Sequence, residues 1–478
     1  MDKTHLLIDH RDVETDAYLE VRDPGRVADV VGLLAQGTPA HVDQAVRAAH
    51  RAFGDWKRTP LERRQALLRQ AADLLAAEGP KVAELMARES GMLVATNAAE
   101  AAMAAAVIRD NADLATEFLA PLEVEDADSA VIVDKVPVGV VAGIVPWNAP
   151  IILTMRKLAP ALVCGNTLVL KPAPTAALGL SALLKRIAAL FPPGVVNVVH
   201  GGADVGAALA SHPLVRKVSF TGGGAVARSV MKAAADTIKG VQFELGGNDP
   251  AIVLADADLD LAVPRIVGGA FRRSGQFCFA VKRIYVHASI HDDFFERFCA
   301  EVDRFRVGHP LAEGTTFGPV NNEAQYRYIQ ALTERTRAGG AEVRVLGSRV
   351  DPGGWDQGWY LQPAVVRNAD PRSEVVVEEQ FGPIVPVVAF DDVEQVVAWA
   401  NDSELGLASS VWSRDETAAV AVAQRIEAGM TFVNNAGTSR IGQRHSPFGG
   451  VKQSGIGRES SAVGLSEYVE YHAINVHK

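Results

Sequence analysis

The stretch KVSFTGGGAVAR, residues 217–228, places three glycines between a β-rich run and a helical pattern. Backbone amides at the start of such a helix can hold a pyrophosphate, and glycines let the backbone approach a ligand closely. Glycine-rich turns also occur without any ligand, and the GxGxxG spacing is absent here. The stretch therefore predicts a strand–turn–helix unit and leaves phosphate binding open.

The same alternation continues on both sides of this unit. VGVVAGIV, NTLVLKP and VVNVVHG are predicted strands, and TAALGLSALLKRIAAL is a predicted helix between them. After Asn248, PAIVLA and RIYVH are predicted strands, and DDFFERFCAEVDRF is a predicted helix. Such alternation indicates parallel sheets with helices on both faces, which bind ligands at the carboxyl ends of their strands. The sequence thus predicts an α/β fold.

Residues 38–119 have helical patterns instead. Thr38-Pro39 and Thr59-Pro60 each indicate a helix start, with proline at the first helical position. Gly79-Pro80 is expected to end the second helix, and an alanine-rich helix is expected over 97–119.

Composition excludes several classes of protein. The 478 residues suffice for two or three domains, and 48% hydrophobic with 22% charged residues is typical of soluble globular proteins. A net charge of −10 argues against a general nucleic-acid surface. The most apolar region, VPVGVVAGIVPWNAPIIL, is interrupted by Gly, Pro and Asn, which favours buried strand and loop over a membrane span. With no signal-peptide pattern at the start, we expect a cytoplasmic protein.

The three cysteines, Cys164, Cys278 and Cys299, are far apart and form no CxxC pair. Neither a disulfide framework nor a zinc cluster is indicated, so no metal site is predicted. A reducing compartment fits this cysteine usage best. Cys278 lies between two phenylalanines in RRSGQFCFAVKR, and it is either a packing residue or a nucleophile.

Three further segments carry candidate groups. Lys171 ends a predicted strand in LVLKPAPT, Glu244 precedes two glycines in FELGGND, and Asn148 lies between prolines in PWNAP. Each also has a plainer interpretation. Lys171 could be a solvated charge, Glu244 a surface carboxylate and Asn148 the cap of a turn. Together with Cys278 they supply a nucleophile, a carboxylate and an amide donor beside a dinucleotide-type loop. Those are the groups that a thiol-based oxidation of a carbonyl needs.

The order of motifs resembles the aldehyde dehydrogenase superfamily from end to end, through PWNAP, KPAPT, FTGG, FELGG, GQFC, EEQFGP and PFGGVKQSGIGRE. The resemblance implies an α/β aldehyde dehydrogenase-like fold with a Rossmann-type cofactor domain at 1–120 and 138–247. It implies an α/β catalytic domain at 248–465 and a small β oligomerisation element at 121–137 and 466–478. A homodimer or homotetramer acting on a small-molecule aldehyde is expected, with no nucleic-acid or membrane partner.

The resemblance also implies catalytic roles. Cys278 matches the nucleophile, which forms a thiohemiacetal and then a thioester. The Asn148 amide and the Cys278 backbone N–H would form the oxyanion hole. Glu244 matches the base that activates water for hydrolysis, and Lys157 and Glu459 match residues that support proton transfer.

The same resemblance implies NAD as the cofactor. The residues expected to contact its riboses, pyrophosphate and nicotinamide are Trp147, Lys171, Gly222, Gly223, Glu379 and Phe381. NAD-preferring members usually have Glu three residues after the matching lysine, whereas this chain has Pro174. Charge therefore does not exclude NADP, although no neighbouring Arg or Lys appears that would attract its phosphate.

Other positions depart from the family pattern. Gly223 stands where serine is usual, and Ala227 where glycine is frequent. We expect both changes to weaken a contact with the cofactor without abolishing binding. Asn248 replaces a common lysine, and the sequence gives no physical account of that change.

The residues expected around the substrate also depart from the family pattern. Phe277 and Phe279 flank the nucleophile, and Ala149 stands where an aromatic residue is common, which favours an aromatic or medium apolar aldehyde. Arg156 and Arg272 match the positions that hold the distal carboxylate in succinic semialdehyde dehydrogenases. Alternatively, either arginine is paired with a protein carboxylate. The loop over 435–446 is longer than in those enzymes, which weakens the match.

The leading hypothesis is NAD(P)-dependent oxidation of an aldehyde to a carboxylic acid. A CoA-acylating dehydrogenase is one alternative, but such relatives usually lack the base that Glu244 matches. A non-catalytic protein on the same fold is another, and it would need none of Cys278, Glu244 and Asn148.

Overall fold

A computed structural model describes residues 2–437 and 439–478 and confirms the α/β fold. Its first sheet has eight strands, of which the five central ones are parallel. In spatial order, the strands are Gly455–Ile456, Gly240–Glu244, Val215–Thr221, Val140–Ile144, Thr167–Lys171, Val196–Val198, Leu6–Ile8 and Arg11–Val13.

Both faces of this sheet are buried. Leu168 and Leu170 pack into one hydrophobic cluster, and Val169 between them packs into another on the opposite face. This alternation places the long apolar runs of the sequence between two helix layers. The surrounding helices are Pro39–Trp56, Leu61–Ser90, Val94–Phe118, Pro150–Val163, Leu178–Ala188, Ala203–Ser211 and Gly224–Ala235.

The expectation that Gly79-Pro80 ends the second helix is wrong, because Leu61–Ser90 continues through both residues. The helix packs closely on its successor, and a Cβ at position 79 would lie 2.2 Å from the Cβ of Ala101. Gly79 thus permits the close approach of two helices, and this tertiary contact outweighs the local breaker signal. The alanine-rich helix is confirmed as Val94–Phe118.

The second sheet has seven strands, all parallel except the first at its edge. Their spatial order is Glu342–Val345, Ala364–Arg367, Ile384–Phe390, Val281–His287, Asp249–Val253, Ala408–Trp412 and Met430–Val433. The helices of this half are Leu259–Phe271, His291–Val302, Glu323–Ala338, Glu374–Val377, Val393–Asn401 and Glu416–Ala423. Two short helices, Arg440–His445 and Ser461–Ser466, follow in the chain and contact helix Val94–Phe118 of the first half.

A third sheet stands apart from both halves. It is antiparallel and consists of Leu122–Glu125, Ser129–Pro137 and the C-terminal strand Val469–His477. Smaller sheets join Lys3–Thr4, Arg26–Ala35 and Tyr18–Asp23, then Arg306–Val307 with Ser348–Arg349, and Leu405–Gly406 with Val451–Lys452. In the part of the chain that the structure describes, no helix combines the length and apolar character needed to cross a membrane.

Candidate active site

Parallel register brings the predicted site residues to one edge of the first sheet. Ile144 pairs with Lys171, and Thr221 pairs with Glu244, so these strands end side by side. Helix Gly224–Ala235 begins directly after the glycine turn, with its N-terminus at this edge. The backbone around Gly223 is open, since a Cβ there would meet no heavy atom within 4 Å.

A cleft of about 260 Å³ lies between this edge and the second sheet. It brings together eight of the predicted residues, which are Trp147, Asn148, Gly222, Gly223, Glu244, Cys278, Glu379 and Phe381. The predicted nucleophile, base and amide donor therefore share one cavity with the residues expected to contact the cofactor.

Cys278 is half-buried and follows a turn of unusual backbone conformation. Arg273, Ser274 and Gly275 have consecutive φ values of 55°, 58° and 74°, in the left-handed region that favours glycine. Asn148 reaches this turn, where its Nδ2 donates to the Gln276 carbonyl at 3.1 Å. Burial raises the pKa of the Cys278 thiol to about 12, so the free protein holds a neutral thiol at physiological pH.

An ion pair ties the nucleophile turn to the segment that carries Asn148. Arg273 donates through Nη1 to the Asn148 carbonyl at 2.7 Å and through Nη2 to Glu100 Oε2 at 2.7 Å. Glu100 Oε1 in turn accepts from the backbone N–H groups of Ile151 and Ile152, at the start of helix Pro150–Val163. Asn148 and the turn that precedes Cys278 are thus fixed relative to each other.

Glu244 is 2% exposed, and neither of its carboxylate oxygens has a hydrogen-bond partner among the described residues. Burial raises the pKa of this carboxyl well above its usual range, and the nearby Glu459 raises it further. A Cβ at Gly449 would lie 2.6 Å from Glu244 Oε1, so only glycine leaves room for the carboxyl.

Lys157 and Glu459 lie behind the cleft as a fully buried ion pair. Lys157 Nζ is 2.9 Å from Glu459 Oε1 and donates to Thr221 Oγ1 at 2.8 Å. Arg156 Nη1 is 3.7 Å from Glu459 Oε2, and its guanidinium lies 4.2 Å from the ring centre of Phe448. Arg156 is therefore paired with a protein carboxylate, which was the alternative interpretation of this residue.

Three aromatic rings form a continuous wall beside Cys278. The ring centroids of Phe277 and Phe279 are 5.2 Å apart, and those of Phe279 and Phe448 are 5.6 Å apart, both edge to face. The guanidinium of Arg272 lies 5.0 Å from the Phe277 centroid. Arg272 is exposed and forms no ion pair with any carboxylate that the structure describes. Ala149 precedes helix Pro150–Val163 and is half-buried.

Three of the residues expected to contact the cofactor, Glu379, Trp147 and Phe381, lie together in the cleft. Glu379 Oε1 accepts from the Gly247 N–H at 3.2 Å and lies 3.3 Å from Lys282 Nζ. The rings of Trp147 and Phe381 meet edge to face with centroids 5.8 Å apart.

Lys171 lies outside this cleft and is buried, with its stem 3.8 Å from the position of a Cβ on Gly206. Burial lowers the pKa of Lys171, and the carboxylate of Asp204 partly offsets that effect. Asp204 is exposed in the first turn of helix Ala203–Ser211, so a carboxylate does stand near Lys171 although Pro174 supplies none.

The model of the aldehyde dehydrogenase family matches residues 11–474. The chain belongs to this family. A glutarate-semialdehyde dehydrogenase of Pseudomonas putida is 37% identical, over 96% of this dehydrogenase and 94% of that protein. An NADP dependent enzyme of E. coli has a similar structure, with TM-score 0.95, 34% identity and coverage of 100% of this chain and 98% of that chain.

A betaine aldehyde dehydrogenase from Staphylococcus aureus, solved in complex with NAD+, has TM-score 0.93 and 32% identity. The match covers 98% of this dehydrogenase and 94% of that chain. These likenesses confirm the resemblance read from the motifs and the class of enzyme.

Several residues of this dehydrogenase's cleft were missed by the sequence analysis. Asn322 and Gln325 line the cavity, and Gln325 Nε2 donates to the Phe381 carbonyl at 3.0 Å. They lie outside every motif, and no local signal marks them. The structure also accounts for Asn248, whose Nδ2 donates to the Val376 carbonyl at 2.9 Å, just before the EEQFGP turn. In the described residues, no group of three or more His, Cys, Asp or Glu side chains is arranged to hold a metal ion.

Proposed function

We propose that this dehydrogenase oxidises an aldehyde to a carboxylic acid with NAD(P)+ as hydride acceptor, through a thioester on Cys278. The observation that carries the proposal is the shared cleft, in which Cys278, the Asn148 amide and the unpartnered carboxyl of Glu244 lie together. A structural role would not require a buried carboxyl without a hydrogen-bond partner, because such a group is costly.

The residues around the cleft fit a dinucleotide. The open backbone at Gly223 and the N-terminus of helix Gly224–Ala235 suit a pyrophosphate, and Glu379 suits a ribose hydroxyl. Bound there, NAD(P)+ supplies the hydride acceptor. We propose NAD as the preferred form, because Asp204 beside Lys171 would repel a 2′-phosphate. Solved relatives include both an NADP dependent enzyme and an NAD+ complex.

The chain's own groups account for the remaining chemistry. The Cys278 thiol gives its proton to solvent, its sulfur adds to the carbonyl carbon, and the negative oxygen accepts hydrogen bonds from Asn148 and the Cys278 N–H. Loss of hydride from that carbon leaves a thioester. Ionised Glu244 then takes a proton from water, the oxygen bonds to the acyl carbon, and the C–S bond breaks to release the acid. Lys157 and Glu459 would support proton transfer from behind Glu244.

The aromatic wall favours an aromatic or medium apolar aldehyde, which would pack on Phe279 and Phe448. A second candidate is an aldehyde with a distal anionic group, because Arg272 presents an exposed guanidinium on Phe277 without a carboxylate partner among the described residues. In that case one arginine would bind the anion, since Arg156 is paired with Glu459.

Initial rates of NADH and NADPH formation test these proposals, with benzaldehyde, hexanal and succinic semialdehyde as substrates and Cys278→Ala as the blank. Benzaldehyde or hexanal should be preferred if the aromatic wall sets the specificity. Preference for succinic semialdehyde, abolished in Arg272→Ala and retained in Arg272→Lys, would establish the anionic candidate. Turnover only with added CoA would show that the acyl group passes to CoA instead of being hydrolysed. Absence of NADH and NADPH formation with every substrate would contradict the proposed function.

We further propose that residues 1–120 and 138–247 form the cofactor domain and that residues 248–465 form the catalytic domain. The third sheet, within 121–137 and 466–478, would be the oligomerisation element. Its exposed apolar side chains support this role, including Leu122 at 57%, Val124 at 59% and Tyr471 at 60% exposure. Light scattering should give the mass of a homodimer or homotetramer. All three cysteines are free, which supports a cytoplasmic location.

A further inference from the structure

Lys282 is a buried lysine directly behind the nucleophile. It lies in strand Val281–His287, and its side chain is 3% exposed. Its ammonium donates to the Cys278 carbonyl at 2.7 Å and to the Phe277 carbonyl at 3.2 Å, and it lies 3.3 Å from Glu379 Oε1. Two of the three ammonium donors are therefore used by backbone carbonyls, and Glu379 supplies the opposite charge.

We propose that Lys282 is a positioning residue of this active site, which orients the backbone of Cys278 and joins it to the cofactor-side carboxylate Glu379. The inference rests on the proposed function, since it assigns the Cys278 N–H and Glu379 to catalysis and cofactor binding.

The planarity of the peptide bond connects Lys282 to the proposed oxyanion donor. The Phe277 carbonyl and the Cys278 N–H belong to one peptide group, in which the C=O and N–H bonds point in opposite directions. Holding the Phe277 oxygen therefore fixes the direction of the Cys278 N–H. A cation on that oxygen also polarises the peptide, which strengthens the N–H as a donor. The hydrogen bond from Lys282 to the Cys278 carbonyl fixes the next peptide group, on the C-terminal side of Cys278.

The charges around Lys282 explain why an ammonium is tolerated there. Glu379 is its ion-pair partner, and the fully buried Asp249 lies on the neighbouring strand Asp249–Val253. Burial raises the pKa of Asp249 to about 7, and Lys282 is the foremost group that opposes this rise. Lys282 is likewise the foremost group that lowers the pKa of Cys278 against burial. Removal of the ammonium would thus affect the cofactor side and the thiol together.

Lys282→Met tests the inference, because it keeps an unbranched stem and removes the charge and all three donors. Two readouts are needed, which are kcat/KM with the best aldehyde and the rate of Cys278 alkylation by iodoacetamide between pH 7 and 10, without aldehyde. We expect kcat/KM to fall up to about 100-fold and alkylation at pH 8 to slow by about threefold or more, since the thiolate fraction decreases. Lys282→Arg should lie between wild type and Lys282→Met. Lys185→Met, at an exposed lysine paired with Asp12, is the matched control.

If Lys282→Met alone does not fold, Lys282→Met combined with Asp249→Asn removes the buried carboxylate with its cation and carries the same measurements. Alkylation and kcat/KM within twofold of wild type would overturn the inference, even if thermal stability falls. Alkylation needs no turnover, so the two hypotheses fail separately. A wild-type protein that reduces no cofactor contradicts the proposed function, whereas an active wild type together with Lys282→Met unaltered in both alkylation and kcat/KM contradicts the role of Lys282.

Discussion

Removal of the Asn148 amide should slow hydride transfer and leave the thiol in place. Asn148 is 4% exposed and lines the cleft with Cys278. One N–H of its amide bonds to the Gln276 carbonyl at 3.1 Å, which leaves the second for the oxygen of the reacting aldehyde. Asn148→Ala therefore deletes one donor to the oxyanion, while Arg273 still holds the backbone of this residue.

The expected magnitude follows from that single donor. Loss of one preorganised oxyanion donor in a desolvated site costs about 3–4 kcal/mol, or roughly 100- to 1000-fold in rate. The charge on the oxygen develops only in the transition state, so kcat should fall much more than KM rises. Asn148→Asp keeps the shape but replaces the donor by an acceptor that faces the Gln276 carbonyl, so its rate should fall at least as far as that of Asn148→Ala.

Stopped-flow measurement of NADH formation in the first turnover gives the rate of hydride transfer. Alkylation of Cys278 serves as the control, because it should stay within twofold of wild type if the nucleophile turn is intact. A decrease of less than tenfold in the burst rate of Asn148→Ala, with normal alkylation, would refute the assignment of this amide to the oxyanion hole. A decrease in both measurements would indicate a role in folding of the turn.

Three further outcomes are expected. Glu244→Gln should give a burst of one NADH per active site and then a steady rate roughly 100-fold below wild type, whereas wild-type turnover would exclude Glu244 as the base. Burial raises the pKa of Asp249 to about 7, so this group's contribution to stability is lost as the pH rises from the ordinary pKa of aspartate through 7. Asp249→Asn does not titrate, so its melting temperature should rise relative to that of wild type between pH 5 and pH 8. The opposite trend would contradict the burial argument. Tyr471→Asp with Ile474→Asp should reduce the mass found by light scattering, and an unchanged oligomer would contradict the role of the third sheet.

Much of the site could be predicted from the sequence because parallel strands impose a shared edge. Once the runs ending at Thr221 and Glu244 are recognised as neighbouring parallel strands, their last residues must lie side by side, as the register pair shows. Lys171 ends at the same edge of the sheet, on the far side of strand Val140–Ile144. The glycine turn before helix Gly224–Ala235 belongs to the same edge for the same reason. Local pattern and topology agree at these positions, so the strand–turn–helix order predicted from the sequence is confirmed, whereas the roles of the residues stay predictions.

The remaining features depend on contacts between distant parts of the chain. The sequence left Arg156 undecided between a substrate and a protein carboxylate, and only the fold brings it within 3.7 Å of Glu459, near the other end of the chain. Pro80 shows the same limit, since a contact between helices outweighs its local signal. Lys282 looks like an ordinary strand residue, and only the fold places its ammonium against the Cys278 carbonyl.

The distribution of buried charge suggests how one cleft can serve both halves of the proposed reaction. Lys157 and Arg156 both contact Glu459, and neither forms an ion pair with Glu244 within the described ranges 2–437 and 439–478. Their attraction does not overcome burial, so the pKa of Glu244 stays well above its usual range. A raised pKa lowers the fraction of Glu244 that carries negative charge beside Cys278, where that charge would oppose formation of the thiolate. The same carboxyl becomes a base strong enough to activate water once it ionises, because a raised pKa makes a better proton acceptor. If the two cations paired with Glu244 instead, its pKa would fall and it would be a weaker base at the hydrolytic step.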